Sequence, residues 1–434
     1  MTAPLVVPLT ARRGSLTIRV APLFCGTIVL LLVGNLGRIP VFSTGGRDVP
    51  ILITDLAVAA LIVVGGLAMA SHRVFRLDAV AAYALLFAGL GAISAMLAIP
   101  RFGLSPFEAI VSLGYLARWL FYFGVYLVAI NTLRSDDVDS VWQALEWTIL
   151  LFAAFGIFQS AFLPGFAQMV YPTSRPYLDW DIQGRRLVST FLDPNFAGAF
   201  IDIGLVVCFA RLAARERVGS WKLLVLGVAL VLTASRSSIL ALFVGALTIV
   251  MISGLSKQAV RAIIAGLILL VAALPKLLVF AKAYHKLGID DPSALARVTV
   301  WLRGWTVFKD HWLIGVGFNT WGYVAERYGW VTAIAANYAI DGGLLFVTVM
   351  TGLAGLALFV AMLWSIFSAS RRVWRDPLAS AKQRGLAIGA AASIPTIVVH
   401  SLFTNSLMQP FLMEALWVLW ALPHVALRRT TTTH

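Results

Sequence analysis

Long apolar runs separated by short polar segments fill most of this 434-residue chain. A membrane-spanning helix needs about 20 apolar residues, and twelve runs reach or approach that length. They cover residues 18–37, 50–70, 79–99, 109–130, 145–164, 195–212, 221–235, 237–254, 260–281, 341–368, 384–403 and 408–427. The seventh and eighth runs are nearly continuous, so they form either two short helices, which we favour, or one long helix. The pattern predicts an all-α polytopic membrane protein with one integral membrane domain over residues 1–434.

Two long polar segments interrupt this pattern. The first covers residues 165–194, and the second covers residues 283–338 with a helical pattern of its own. A third polar stretch, residues 430–434, consists of four threonines and His434, and we expect it to be a disordered tail. Loops of such length often carry functional residues, so we expect candidate binding or catalytic residues in the two long segments.

The composition agrees with a membrane protein and excludes a nucleic-acid-binding one. Hydrophobic residues make up 60% of the chain and charged residues only 12%, against roughly 25% charged in soluble domains. The net charge of +14 comes mainly from short segments on one side of the predicted bilayer. Those basic residues are Arg12, Arg13, Arg19, Arg73, Arg76, Arg134, Arg211, Arg215, Arg217, Lys222, Lys257, Arg261, Arg371, Arg372, Arg375, Lys382, Arg384, Arg428 and Arg429. Positive charge in short loops marks the cytoplasmic side, so we expect both termini inside and both long polar segments outside.

The central part of the second polar segment carries a stripe of cation and indole. Arg297, Trp301 and Trp305 recur every four residues, which places them on one face of a helix. Arg303 lies on the same stretch. Such a face suits a phosphate or an anionic headgroup, and its alternative is an interfacial amphipathic helix anchored by tryptophans.

Three further clusters stand at predicted outer ends of spans. Arg186 precedes Pro194 and Asn195 at the start of the sixth run, where Asp193 is also well placed to cap a helix. The other two clusters centre on single charged residues. They are Arg236 in the sequence Ser-Arg-Ser between the seventh and eighth runs, and Asp341 before two glycines at the start of the tenth. Arg236 is either functional or an interface anchor, and Asp341 is either a helix cap or a general base.

Other chemistries find no support in the sequence. Cys25 and Cys208 both fall in predicted spans, so no disulfide framework is expected. The six histidines show no metal-ligand spacing. No phosphate-binding loop, dinucleotide-binding glycine motif or serine-hydrolase motif is present. We therefore expect no cofactor and no metal.

At these clusters the sequence resembles the bacterial O-antigen ligase and O-antigen polymerase superfamily, membrane glycosyltransferases with a GT-C-like fold. The resemblance is strongest over residues 186–356. Besides the Arg-plus-Pro-Asn and Ser-Arg-Ser elements, it includes the stripe leading to Gly315 and Gly317, and the later sequence Thr-Gly-Leu-Ala-Gly-Leu at 351–356. Ligases of this family carry His-Asn where this chain has Asp341-Gly342, which favours a polymerase-like enzyme over a lipopolysaccharide ligase.

The resemblance implies transfer of a glycan from an undecaprenyl-pyrophosphate-linked donor to an acceptor hydroxyl, at the periplasmic face of the bacterial inner membrane. Arg236, Arg297 and Arg186 are then expected to bind the pyrophosphate, because forked guanidinium donors match phosphate oxygens. Asp341 is expected to act as the base, ionised with the help of nearby arginines. The remaining candidates, for sugar or lipid contacts, are Trp301, Trp305, Arg303 and Asn195.

The partners implied are the lipid bilayer, the lipid-linked glycan donor, a glycan or lipid A-core acceptor, and chain-length regulator or flippase proteins. Two other classes stay open at this point. A lipid-linked sugar transporter or flippase would need charge along a path through the membrane, and the charge here gathers at one face. A non-catalytic scaffold for polysaccharide assembly would not need the retained arginines.

Overall fold

The structure, a computed structural model, describes residues 5–6, 19–44, 47–72, 75–172, 185–254, 292–330 and 340–427. The ninth predicted span, the terminal tail and parts of both long polar segments lie outside these residues. Within them the chain is mainly helical. The helices are α1 Ala21–Val29, α2 Ile53–His72, α3 Ala79–Phe102, α4 Pro106–Thr132, α5 Val138–Phe162, α6 Phe166–Val170, α7 Pro194–Ala213, α8 Ser220–Thr233, α9 Arg236–Ser253, α10 Pro292–Asp310, α11 Trp321–Arg327, α12 Gly343–Trp374, α13 Ala381–His400 and α14 Pro410–Ala426.

The strands are short and lie between helices. Strands β1 (Leu5–Val6) and β4 (Arg76–Leu77) pair antiparallel, and β2 (Arg38–Thr44) pairs antiparallel with β3 (Arg47–Leu52). Neither pair was predicted from the sequence, and the second stands between α1 and α2. Single-turn 3₁₀ helices cover Ser189–Phe191 and Ser406–Met408.

Seven of the described helices, α2, α3, α4, α5, α7, α9 and α12, are long and apolar enough to cross a membrane. Three shorter apolar helices, α1, α8 and α14, coincide with the first, seventh and twelfth predicted runs, whereas α13 on the eleventh run belongs to neither group. The chain is therefore a multi-pass, mainly α-helical membrane protein, as the sequence predicted. The number of spans stays a prediction.

The seventh and eighth runs are two helices, as we favoured. Helix α8 ends at Ala234, whose backbone is left-handed (φ +50°). Ser235 then caps α9, since its hydroxyl accepts the N–H of Ser238 at 3.4 Å. The Ser-Arg-Ser sequence therefore marks a sharp turn between helices, and Arg236 is the first residue of α9.

The core is built around α7, α13 and α14, whose residues are mostly buried. Helix α13 packs against α7, α9 and α12. It is rich in alanine and glycine, and a Cβ added at Gly385 or Gly389 would meet the backbone of α7 at 2.8 or 3.1 Å. Small residues let membrane helices approach closely, which explains why this central helix is less apolar than its neighbours.

Most charged residues inside the bundle are paired. Arg118 pairs with Asp55, and Arg211 joins Glu146 and Glu216 at the opposite end of α7 from Pro194. Two buried carboxyl groups, on Asp202 and Glu414, have no hydrogen-bond partner among the described residues.

Helix α12 is interrupted at Gly352, where φ is +66° and ψ is −170°. Above the break, the carbonyls of Val349 and Met350 accept the N–H groups of Val316 and Gly317, at 3.1 and 3.0 Å. Below it, the N–H groups of Leu353 and Ala354 donate to the carbonyls of Trp312 and Leu313, at 2.8 and 3.2 Å. The 312–317 segment therefore supplies the backbone partners that the broken helix lacks.

Helix α3 holds the same segment from the other side. The Ser94 hydroxyl donates to the carbonyls of Ile314 (2.7 Å) and Met350 (2.9 Å), and Arg101 donates to the Gly315 carbonyl (3.1 Å). Two motifs that the sequence showed separately, the glycines at 315 and 317 and the 351–356 sequence, thus meet in one junction.

We expect Gly352→Ala to destabilise the protein. Its Cβ would lie 2.2 Å from backbone atoms of Leu313, and a positive φ is itself unfavourable by about 1–3 kcal/mol for other residues. The apparent melting temperature and the yield in detergent should both fall. Gly89→Ala on α3 is the matched control, because nothing lies within 4 Å of a Cβ there. Equal melting temperatures for the two variants would contradict this reading of the junction.

Candidate active site

Four segments meet through side chains at one end of the bundle. They are the start of α7, the α8–α9 turn, the 401–409 loop after α13, and the start of α12 with α10 beside it. Hydrogen bonds join each to another: Ser235 to Asn195, Ser237 to His400, Arg297 to Phe403 and Trp301 to Asp341. The candidate residues for chemistry lie at this meeting point.

Asp193 begins α7 as the sequence predicted. Its carboxylate accepts the N–H groups of Asn195 (2.6 Å) and Phe196 (3.0 Å), and Pro194 occupies the first turn. The Asn195 side chain has a second role, since its Oδ1 accepts the hydroxyl of Ser235 at 3.1 Å. Asn195 therefore ties the start of α7 to the start of α9.

Arg186 is buried beneath the α8–α9 turn. Its Nε donates to the Thr233 carbonyl at 2.9 Å and its Nη2 to the Ala234 carbonyl at 3.4 Å. These are carbonyls that the end of a helix leaves without intrahelical partners. Arg186 thus positions the turn that presents Arg236, and its direct contact with pyrophosphate stays a prediction.

A hydroxyl and imidazole network fills the space below Arg236. His400, fully buried at the end of α13, has Nε2 at 3.0 Å from the Ser238 hydroxyl and 3.3 Å from that of Ser237. On the other edge of the ring, Nδ1 lies 2.6 Å from the hydroxyl of Ser406 and 3.2 Å from that of Thr404. The imidazole thereby joins the α8–α9 turn to the 401–409 loop.

Helix α10 is docked on that loop by its cation and indole face. Arg297 donates from Nε to the Phe403 carbonyl at 2.9 Å. One turn later, the Trp301 indole donates to the Asp341 carbonyl at 3.2 Å, and its ring lies 6.3 Å from that of Phe403. The predicted helical stripe is confirmed, and two of its three members face the start of α12.

The Asp341 side chain lies among charged groups. The N-cap position of α12 belongs to Gly342, and the Ser401 carbonyl accepts the N–H of Gly343, so capping does not depend on the Asp341 carboxylate. Burial raises the pKa of Asp341, Arg297 acts against burial, and Asp193 adds to the rise. Arg297 therefore favours the ionised form, as expected, while burial and Asp193 favour the protonated form.

The other predicted residues are less closely grouped. Arg236 is exposed at the start of α9. Trp305 is exposed and packs against Phe308 of its own helix, with ring centroids 5.4 Å apart. The Arg303 guanidinium lies 5.3 Å from the centre of the Trp330 ring. The substrate contacts of Arg303 and Trp305 stay predictions.

Sequence reasoning missed His400. It was one of several scattered histidines, and no spacing linked it to the Ser-Arg-Ser element more than 160 residues earlier. One local signal was present: Ser401, Thr404, Asn405 and Ser406 make a polar cluster directly after the eleventh apolar run. Polar side chains gathered at the end of an apolar span are uncommon unless they line a site or pair internally.

The described residues hold no group of three or more His, Cys, Asp or Glu side chains arranged as a metal site. Arg186, Arg236 and Arg297 are cationic groups at this end of the bundle.

Comparison with protein families agrees with this arrangement. The family model described as O-antigen ligase matches residues 221–360. This part of the chain is therefore similar to the O-antigen ligase family. No curated protein matches the chain. The matched region runs from the start of α8 into α12, so it includes Arg236, Arg297 and Asp341 but neither Asn195 nor His400.

The two arginines that flank the α8–α9 turn should respond differently to substitution. Arg186→Met removes buried hydrogen bonds from a charged donor, which contribute about 1.5–3 kcal/mol, so the apparent melting temperature should fall clearly. Arg236→Met is the matched control at an exposed position and should leave the melting temperature nearly unchanged. Thermal unfolding in detergent measures both, and equal losses would contradict the positioning role of Arg186.

Proposed function

We propose that this protein is a glycosyltransferase that moves a glycan from an undecaprenyl-pyrophosphate-linked donor to an acceptor hydroxyl. The observation that carries the proposal is the docking of the Arg297 and Trp301 face of α10 on Phe403 and Asp341, within the region matched by the O-antigen ligase family. The reaction needs cationic groups for the leaving pyrophosphate and one base for the acceptor proton. Both kinds of group occur together here.

The leaving group is stabilised by arginine in this mechanism. As the bond between the anomeric carbon and the pyrophosphate oxygen breaks, its electron pair stays on the pyrophosphate. Arg297 and Arg236 offer forked N–H donors to the developing charge, and Arg186 holds the turn that carries Arg236. The exposed indoles of Trp301 and Trp305 flank the lipid or stack on a sugar face.

Asp341 acts as the general base. The acceptor oxygen forms a bond to the anomeric carbon while its proton passes to the Asp341 carboxylate, on the side opposite the leaving group, which gives inversion. A raised pKa suits this role, because a base is most effective when its pKa lies near the working pH. Asp341 would thus occupy the position where ligases of this family carry histidine.

The site belongs, in this proposal, at the periplasmic face of the bacterial inner membrane, with both termini cytoplasmic. The basic network around Arg211 and Lys222 at the opposite end of the bundle supports that orientation. Aspartate in place of histidine favours a polymerase. Product analysis decides between the two activities: a polymerase lengthens the glycan on the carrier, whereas a ligase transfers it to lipid A core.

Replacing Asp341 should remove most of the transfer activity. With purified protein and a lipid-linked oligosaccharide, release of polyprenyl pyrophosphate by Asp341→Asn should fall by about 10²- to 10⁴-fold, the usual contribution of a general base. Asp136→Asn, an exposed aspartate before α5, is the control and should keep full activity. Full activity of Asp341→Asn would refute the assignment of the base. Activity should also survive a metal chelator, and its loss would refute the metal-free mechanism.

The pH profile should report the Asp341 carboxyl. Burial raises the pKa of Asp341, so its protonated and inactive form persists above the ordinary aspartate pKa of about 3.9. The acid limb of kcat/KM should therefore lie above that value. Arg297 lowers the pKa of Asp341, so Arg297→Met should move the limb of the residual activity to still higher pH. The measurement is kcat/KM against pH for both proteins. A limb that stays in place or moves to lower pH would contradict the proposed pairing.

A further inference from the structure

A cavity of about 310 Å³ opens beside the candidate site. Its walls come from the α1–α2 connection, the middle of α4, the start of α7, and the segments at 318–319, 346 and 405–413. They include five aromatic rings and several carboxamides. The aromatic residues are Tyr115, Trp119, Phe196, Phe318 and Phe346, and the carboxamides belong to Asn35, Asn319, Asn405 and Gln409.

Two features connect this cavity with the chemistry. Asp193 lines it and also acts electrostatically on Asp341. The 401–409 loop serves both regions, because Phe403 contacts Arg297 while Asn405 and Gln409 line the cavity. The cavity therefore adjoins the carboxylate side of the site.

The carboxamides of the loop are available to a ligand. The Oδ1 of Asn405 is buried and has no hydrogen-bond partner among the described residues, which is a costly state for a buried acceptor. Gln409 stands at the N-cap position of α14, but its side chain makes no capping hydrogen bond. A bound group that carries hydroxyls would satisfy both side chains.

Three charged residues line the cavity, Arg38, Arg118 and Asp193, and each has interactions within the protein. Arg118 is already bound to Asp55, with Nε 3.1 Å from Oδ1, and Asp55 also accepts the Tyr122 hydroxyl at 2.8 Å. Asp193 accepts two backbone N–H groups. Besides these charged residues, the lining offers neutral carboxamides and ring faces, the groups that bind sugars through hydroxyls and stacking. Its volume is at the small end of ligand pockets, roughly 300–1,000 Å³.

We propose that this cavity binds a short neutral segment of the acceptor glycan and delivers its hydroxyl to Asp341. This inference rests on the proposed function. The acceptor fits better than the donor because the cavity adjoins the carboxylates, and the base must contact the acceptor hydroxyl. The donor pyrophosphate belongs with Arg297 and Arg236.

The test compares Asn405→Ala and Gln409→Ala with the unchanged protein. Transfer is measured while donor and acceptor concentrations are varied in turn, and the same acceptor oligosaccharide is titrated calorimetrically without donor. Each variant should raise the acceptor KM and Kd by about fivefold, the value of one hydrogen bond near 1 kcal/mol, and leave the donor KM unchanged. Asn131→Ala at the other end of α4, where Asn131 bonds to Arg76, is the matched control and should change neither constant.

The outcomes separate this inference from the function on which it rests. Absence of polyprenyl pyrophosphate release by the unchanged protein would refute the proposed function. Normal transfer with an unaltered acceptor KM and Kd in both variants would refute the acceptor site alone, and so would a raised donor KM with an unaltered acceptor KM. Melting temperatures check folding, and Asn405→Ala should not lower its own, since Oδ1 has no protein partner to lose.

Discussion

Four backbone hydrogen bonds between the 312–317 segment and the interrupted α12 position the rest of the site. A helix broken inside an apolar environment exposes N–H and C=O groups that water cannot satisfy there, so partners must come from the protein. Gly352 permits the break, and the 312–317 segment supplies the partners. Because α10 leads directly into that segment, Arg297 and Trp301 are held at the start of α12 by the same junction.

At the candidate site, burial and the charge of Arg297 have opposite effects on the pKa of Asp341. The Asp341 carboxyl is drawn toward its protonated form by desolvation and by Asp193, and toward its ionised form by Arg297. Neither influence alone would give a useful base, since a fully desolvated carboxyl stays protonated and a strongly paired one is weakly basic. The buried network around His400 lies close by and fixes the elements that carry these charges. Rigid support of this kind keeps charged groups in place without further reorganisation.

The parts of this molecule that depend on local pattern were predictable. The apolar runs predicted the long helices. Asp193 and Pro194 predicted the start of α7, and the Ser-Arg-Ser sequence marked the break between α8 and α9. The four-residue spacing of Arg297 and Trp301 gave the face of α10. The parts that depend on distant contacts were not predictable, because a single sequence does not show which residues far apart in the chain are in contact.

His400 and the desolvation of Asp341 belong to this second group. His400 meets its serine partners across more than 160 residues, and burial of a carboxyl depends on all the elements around it. The glycines at 315 and 317 and Gly352 were each visible, but their contact was not. Local sequence patterns were therefore enough to predict where the candidate site lies. The effect of its surroundings on the pKa of Asp341 could be seen only in the folded structure.

The 401–409 loop has a thermodynamic consequence. One short segment accepts Arg297 at Phe403, contacts His400 through Thr404 and Ser406, and lines the neighbouring cavity through Asn405 and Gln409. A ligand that shifts the loop on one side changes the binding free energy on the other. Such coupling is reciprocal, so whatever factor one ligand imposes on the affinity of the second is imposed by the second on the first. The strength of this coupling would then depend on the stiffness of these nine residues.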